Sequence, residues 1–165
     1  RMYWVEKLGW LLGNKPVTTV NNDEEHLGEN RDYDQIEALD LIKNELGIRP
    51  IYFMNKPEGM FYDDIYIDED AQWAKIFYTY EEKNIIVLMD RSDKDMSFGV
   101  VYDGNIVDSK IEAIKNIDIE IIHIKRDQKN YAYYAIFKYG DVFYQVVADM
   151  EETVFDNLIR SVEFW

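Results

Sequence analysis

Cysteine is absent from this 165-residue chain, and histidine occurs only at His26 and His123. The first absence removes disulfides, thiolate metal sites and thiol nucleophiles together; the second leaves few general bases or nitrogen ligands. Basic charge is also scarce. Against 33 Asp and Glu there are 18 Lys and Arg, a formal net charge of -15, and no Lys/Arg cluster interrupts the acidic background. Such a surface repels polyanions, which excludes nucleic acid as a partner and leaves cations and basic partners compatible. The longest early apolar run, Met2 to Leu12, is too short to cross a bilayer and is broken by Glu6 and Lys7. The glycine-rich phosphate-binding, G-x-S-x-G and H-E-x-x-H patterns are missing as well.

What the chain does contain is aromatic and β-branched surface. Thirteen Tyr and four Trp favour a β-rich interior, and the length suits one core. The clearest stretch runs from Ile117 to Val162. Gly140-Asp141 lies between two aromatic-rich segments and reads as a two-residue hairpin loop, because Gly tolerates positive φ. That loop sets Tyr139 opposite Val142, Phe137 opposite Tyr144, Ala135 opposite Val146, Tyr133 opposite Ala148 and Tyr131 opposite Met150. This face is apolar and predicts core. The other face pairs Lys138 with Phe143, Ile136 with Gln145, Tyr134 with Val147 and Ala132 with Asp149, a mixture suited to neither open solvent nor a dry core.

Taken in order, Met2 to Leu12 reads as a short amphipathic helix stopped at Gly13, followed by a polar loop from Asn14 to Asp32. Residues 1–33 therefore form an extension ahead of an α+β domain over residues 34–165. Asp34 and Glu37 resemble a capping box for a helix whose stripe is Ile36, Leu39, Ile42 and Leu46, ended by Gly47. Ile48 to Met54 reads as a strand, Pro57-Glu58-Gly59 as a turn, and Phe61 to Ile67 as a strand alternating at Phe61, Ile65 and Ile67. Ala71 to Tyr80 and Ile85 to Met89 predict a hairpin around Glu81 to Asn84, with Ile76, Tyr78 and Tyr80 opposite Met89, Val87 and Ile85. Phe98 to Tyr102 predicts a further strand, Asp103-Gly104-Asn105 a turn into Ile106 and Val107, and the stretch from Asp108 to Asn116 has no clear pattern. In the strand from Ile117, apolar residues on both parities fit either a bulge near Ile121 or a strand covered on both sides. Asp149 is placed to cap a final helix with the stripe Val154, Phe155, Leu158, Ile159 and Val162.

Candidate chemistry is thin. His26 sits among loop acids, and His123 has no Ser, Asp or Glu at a recognisable spacing. The acids at Asp68, Glu69 and Asp70, and at Asp90, Asp93 and Asp95, lack the Gly and distant Glu of a calcium loop and read as solvated turns. No metal or cofactor follows from these residues.

Two stretches resemble a family of bacterial domains catalogued as domain of unknown function 4367. One is Leu46-Gly47-Ile48 with the Pro57-Glu58-Gly59 turn; the other is Tyr144-Gln145-Val146-Val147-Ala148-Asp149-Met150 with Phe155, Leu158-Ile159 and Phe164. The resemblance covers Asp34 to the C-terminus and implies an extracytoplasmic domain behind a single membrane anchor, on the surface of a Gram-positive bacterium. It carries no catalytic residues. The chain opens at Arg1 without an initiator Met, which fits a processed product.

The sequence thus predicts a single α+β domain with an antiparallel, curved sheet of six to eight strands and packed helices. Its function reads as non-catalytic binding or sensing of a protein or small apolar ligand, through Tyr134, Ile136, Phe143 and Val147 framed by Lys138 and Gln145. The alternatives are a hydrolase using acidic residues with His123, and a homo-oligomer formed through that face or an uncovered sheet edge.

Overall fold

A computed structural model describes residues 31–91 and 104–165. Among these residues two helices, α1 (Arg31–Leu46) and α2 (Glu152–Arg160), accompany nine strands: β1 (Ile51–Phe53), β2 (Phe61–Asp68), β3 (Trp73–Tyr80), β4 (Lys83–Asp90), β5 (Asn105–Ile114), β6 (Ile117–Lys125), β7 (Tyr131–Tyr139), β8 (Val142–Ala148) and β9 (Val162–Phe164). Seven strands make an open antiparallel sheet in the order β2-β3-β4-β8-β7-β6-β5, and β1 pairs with β9 separately. The expected antiparallel sheet of six to eight strands with packed helices is present. The N-terminal helix, the polar loop up to residue 30, His26, Asp93, Asp95 and the Phe98 to Tyr102 strand lie outside the described residues.

Both helices pack on one side of the sheet, called here the first face. Ala38, Leu39, Ile42 and Leu46 of α1 and Phe155, Leu158 and Ile159 of α2 join Ile76, Tyr78, Val87, Ala135, Phe137, Tyr144 and Val146 in one buried cluster. Each large side chain closed off in this way contributes about 1.5–3 kcal/mol of hydrophobic stabilisation. The C-terminal strand is tied back to α1 and β1. Ile51 pairs with Phe164, the Trp165 amide donates to the Pro50 carbonyl at 2.8 Å, and Trp165 Nε1 donates to Asp40 Oδ1 at 2.7 Å.

The β7–β8 hairpin has the register that Gly140-Asp141 predicts, from Tyr139 opposite Val142 to Tyr133 opposite Ala148. The ladder stops at Ala148, so the predicted pairs Tyr131 with Met150 and Ala132 with Asp149 do not form within it. The β3–β4 hairpin is tighter than the sequence predicts. Glu81 and Glu82 both take positive φ, 49° and 62°, and close a two-residue turn that sets Tyr78 opposite Ile85 and Ile76 opposite Val87. The partners therefore slide by two residues while the faces stay the same.

Other differences have local causes. Helix α1 begins at Arg31, so Asp34 lies inside it, and its stripe uses Ala38 while Ile36 is exposed. A bulge between Tyr62 and Asp64 turns Tyr62 into the core and leaves Phe61 half out. Helix α2 is preceded by Glu151 with no side-chain cap; Asp149 instead pairs with Lys83 at 3.1 Å. In β6 there is no bulge at Ile121: Ile119 and Ile121 face the first side, Ile122 and Ile124 the second, and all four are buried. The unpatterned stretch after Asp108 is the ten-residue strand β5, joined to β6 by Lys115 and Asn116, both at positive φ.

Candidate functional site

The six residues singled out by sequence do converge on the second face, the side away from both described helices. Cross-strand pairing sets Lys138 beside Phe143, Ile136 beside Gln145, and Tyr134 beside Val147. Tyr134, Phe143, Val147 and Gln145 are buried, Ile136 is half-buried, and Lys138 is exposed. Ile136 packs against two clusters at once. One is Trp73, Phe77, Ile86, Leu88 and Phe143; the other is Ile122, Ile124, Ala132, Tyr134 and Val147. Neither cluster contains a residue of α1 or α2.

The rows of this face can be read across the sheet because partners in adjacent strands point the same way. One runs Asp68, Trp73, Asp90, Phe143, Lys138. The next runs Tyr66, Lys75, Leu88, Gln145, Ile136, Glu120, and the third Asp64, Phe77, Ile86, Val147, Tyr134, Ile122. Five of the polar members, Asp64, Asp68, Lys75, Asp90 and Gln145, are buried with the apolar ones, while Lys138 and Glu120 are exposed. Asp64 Oδ1 accepts from the Ile65 amide at 2.8 Å, and Asp68 Oδ1 from the Ala71 amide at 2.9 Å. Tyr66 stacks on Trp73 with centroids 5.3 Å apart, and Lys75 Nζ lies 5.9 Å from the Trp73 ring centre. Gln145 Nε2 has no hydrogen-bond partner among the described residues. A buried amide left in this way costs about 1–3 kcal/mol.

What sequence reasoning missed is that the second face of β2, β3 and β4, where the alternation predicts Phe77, Ile86 and Leu88, continues into that of β8 and β7. Trp73, Lys75 and Phe77 alternate with Ala74, Ile76 and Tyr78, and that period of two places Lys75 on the aromatic second face. Reading Lys75 as a face residue was possible; knowing that β4 lies next to β8, and so brings Leu88 against Gln145, was not.

His123 lies on the first face, remote from these rows. Its ring stacks on Tyr133 at 4.4 Å and 15°, and Tyr133 in turn stacks on Phe155 at 5.3 Å. Asp108 Oδ2 is 3.8 Å from His123 Nδ1, beyond hydrogen-bond reach, and the Asp108 side chain is largely in solvent. Burial, followed by the charges of Glu152, Asp108 and Asp156, pushes the Tyr133 phenol above its ordinary pKa. The arrangement holds a ring stack in place. Among the described residues no three of His, Asp and Glu are placed to hold a metal ion. A small cavity of about 10 Å³ lined by Ile114, Ile119, Phe137 and Phe164 has room for about one water.

Among the described residues, no helix is long and apolar enough to cross a membrane. No curated protein matches the chain. A family model described as Domain of unknown function (DUF4367) matches residues 50–162, which takes in the Pro57-Glu58-Gly59 turn and the Tyr144 to Met150 block but begins after Leu46-Gly47-Ile48. That match spans more than half of the sequence, and the chain belongs to the DUF4367 family.

Proposed function

We propose that this chain is a non-catalytic binding or sensing domain, a single domain on a curved sheet, carried outside the cytoplasm by a membrane-anchored bacterial protein. The observation that supports this most is the row Lys75, Leu88, Gln145, Ile136: polar groups set into an apolar sheet face on which neither described helix packs. A face that served packing alone gains nothing from the unsatisfied Gln145 carboxamide, since an apolar residue of similar volume is as good or better there. The ligand class that matches is an apolar body with one small polar group. Half-buried Ile136 offers the first apolar contact and exposed Lys138 a charge at the rim; Tyr134, Phe143, Val147 and Gln145, all buried, join the site where the ligand displaces what covers them, Gln145 supplying the hydrogen bond. The anchored, extracytoplasmic setting rests on the family resemblance.

The test is a thermal-shift series on the full chain with dodecanoate, dodecylamine and dodecyl maltoside, each below its micelle concentration. At least one raises the Tm of the wild type and not of Phe143→Ala or Gln145→Leu, because a ligand that binds only the folded state stabilises it by mass action. If all three leave the wild type unmoved, the small-ligand reading is lost. The anchor is tested separately, by looking for an apolar run of about 20 residues encoded upstream of Arg1.

A further inference from the structure

Strand β5 pairs with β6 on one side, and no described strand pairs with its other side. It is exposed from Asn105 to Ile111, and it carries large apolar side chains into solvent: Ile106, Val107 and Ile111 are 54%, 51% and 69% exposed. An open strand edge is a template for another strand, and soluble proteins normally blunt it with charge. Here the charges have a particular order. Lys110 and Glu112 flank Ile111, and both point to the first face, where they pair with each other at 3.0 Å, Lys110 also meets Asp156 at 3.6 Å and Arg160 meets Glu112 at 2.8 Å.

We propose that β5 is a dimerisation edge, pairing antiparallel with β5 of a second copy about a two-fold axis through Ile111. In this register Lys110 lies opposite the second copy's Glu112, Glu112 opposite its Lys110, and Ile111 opposite its Ile111 on the second face. Centring the axis one residue either way sets Lys110 against Lys110 or Glu112 against Glu112, so the charge order selects one register. The bulge between Ile106 and Asp108 falls outside the paired segment. A two-fold interface must be self-complementary, and Lys110-Ile111-Glu112 is. The partner is therefore a second copy of this chain, and the inference stands apart from the ligand reading of the second face.

Because the chain has no cysteine, one introduced thiol reports one position. Light scattering on the wild type gives a dimer mass. Ile111→Cys is joined to itself by a short bismaleimide, whereas Ile106→Cys is not: each copy's residue 106 lies five positions from the axis, so the two are about 33 Å apart. Lys110→Glu weakens the dimer at least tenfold. A wild type that stays monomeric at every concentration, or Ile106→Cys coupling as readily as Ile111→Cys, overturns the proposal.

Discussion

Gln145 on β8 stands directly opposite Ile136 on β7, with Leu88 of β4 as its neighbour on the other side. A carboxamide that is 1% exposed is thus held between two aliphatic side chains, its Nε2 without a hydrogen-bond partner among the described residues. Replacement by an apolar residue of similar size removes a polar group that the fold does not reward. Gln145→Leu is expected to raise stability by about 1 kcal/mol, or about 2–4 °C in Tm for a chain of this size. A thermal melt checks this, and a loss of stability shows that the amide is satisfied.

Gly104 enters β5 at φ 137°, and a Cβ there would stand 2.4 Å from the Lys125 carbonyl oxygen and 2.9 Å from Arg126 Cα. Both are backbone atoms of the adjoining strand end, so neither has a rotamer to yield. Gly104→Ala is expected to cost about 2 kcal/mol or more by chemical denaturation, from strain and displaced backbone together.

The ion group on β5 and α2 carries a pH signature. Hydrogen bonding to Lys110, then the charges of Lys110 and Arg160, hold the Glu112 carboxyl below its ordinary 4.5; the same hydrogen bond leads in raising Lys110 above 10.5. A lowered carboxyl pKa stabilises the fold above its unfolded value and loses that contribution as pH falls through the folded value; a raised lysine pKa does so below its unfolded value and loses it as pH rises. Glu112→Gln should therefore cost about 0.5 kcal/mol, constant between about pH 6 and 9, with the difference from wild type shrinking as pH falls below 4.5 and gone once the carboxyl is protonated in the fold. A difference that persists in acid would mean that charge is not its source.

Alkali acts on the first-face core. Burial, foremost among its causes, pushes the phenols of Tyr62, Tyr78 and Tyr144 well above their ordinary 10.0; the Tyr144 hydroxyl donates to the Arg49 carbonyl at 2.7 Å. These groups stay neutral in the fold and ionise once it opens, so stability is full below about pH 10 and falls as pH rises beyond it. An absorbance titration at alkaline pH is expected to show these tyrosines ionising together with loss of the near-ultraviolet circular dichroism signal, after the exposed ones. Smooth titration of all tyrosines with the fold intact contradicts the burial.

How much was legible in the sequence depended on whether the signal was local. Gly140-Asp141 determined a hairpin because a two-residue loop leaves one register, and the Lys138, Ile136 and Tyr134 pairings followed from it. Glu81-Glu82 closes an equally tight turn without glycine, so composition hid it and shifted the predicted partners by two. Strand β5 was hidden for a different reason: both of its faces are exposed for most of its length, so no apolar alternation marks it. The second face was half legible. Its β7–β8 half is written in one hairpin, whereas Trp73, Lys75 and Leu88 arrive through the β4–β8 pairing of strands far apart in sequence, which no local pattern encodes.

The most direct test of the proposed binding face is methyl NMR on the full chain, with Ile, Leu and Val labelled, titrated with whichever of the three amphiphiles raises the Tm. Shifts are expected at Ile86, Leu88, Ile122, Ile136 and Val147 on the second face, with Ile42, Val87, Leu158 and Ile159 of the first-face core unmoved. Shifts confined to the first-face core, or none at the second face at saturating probe, contradict the proposal and make that face interior packing alone.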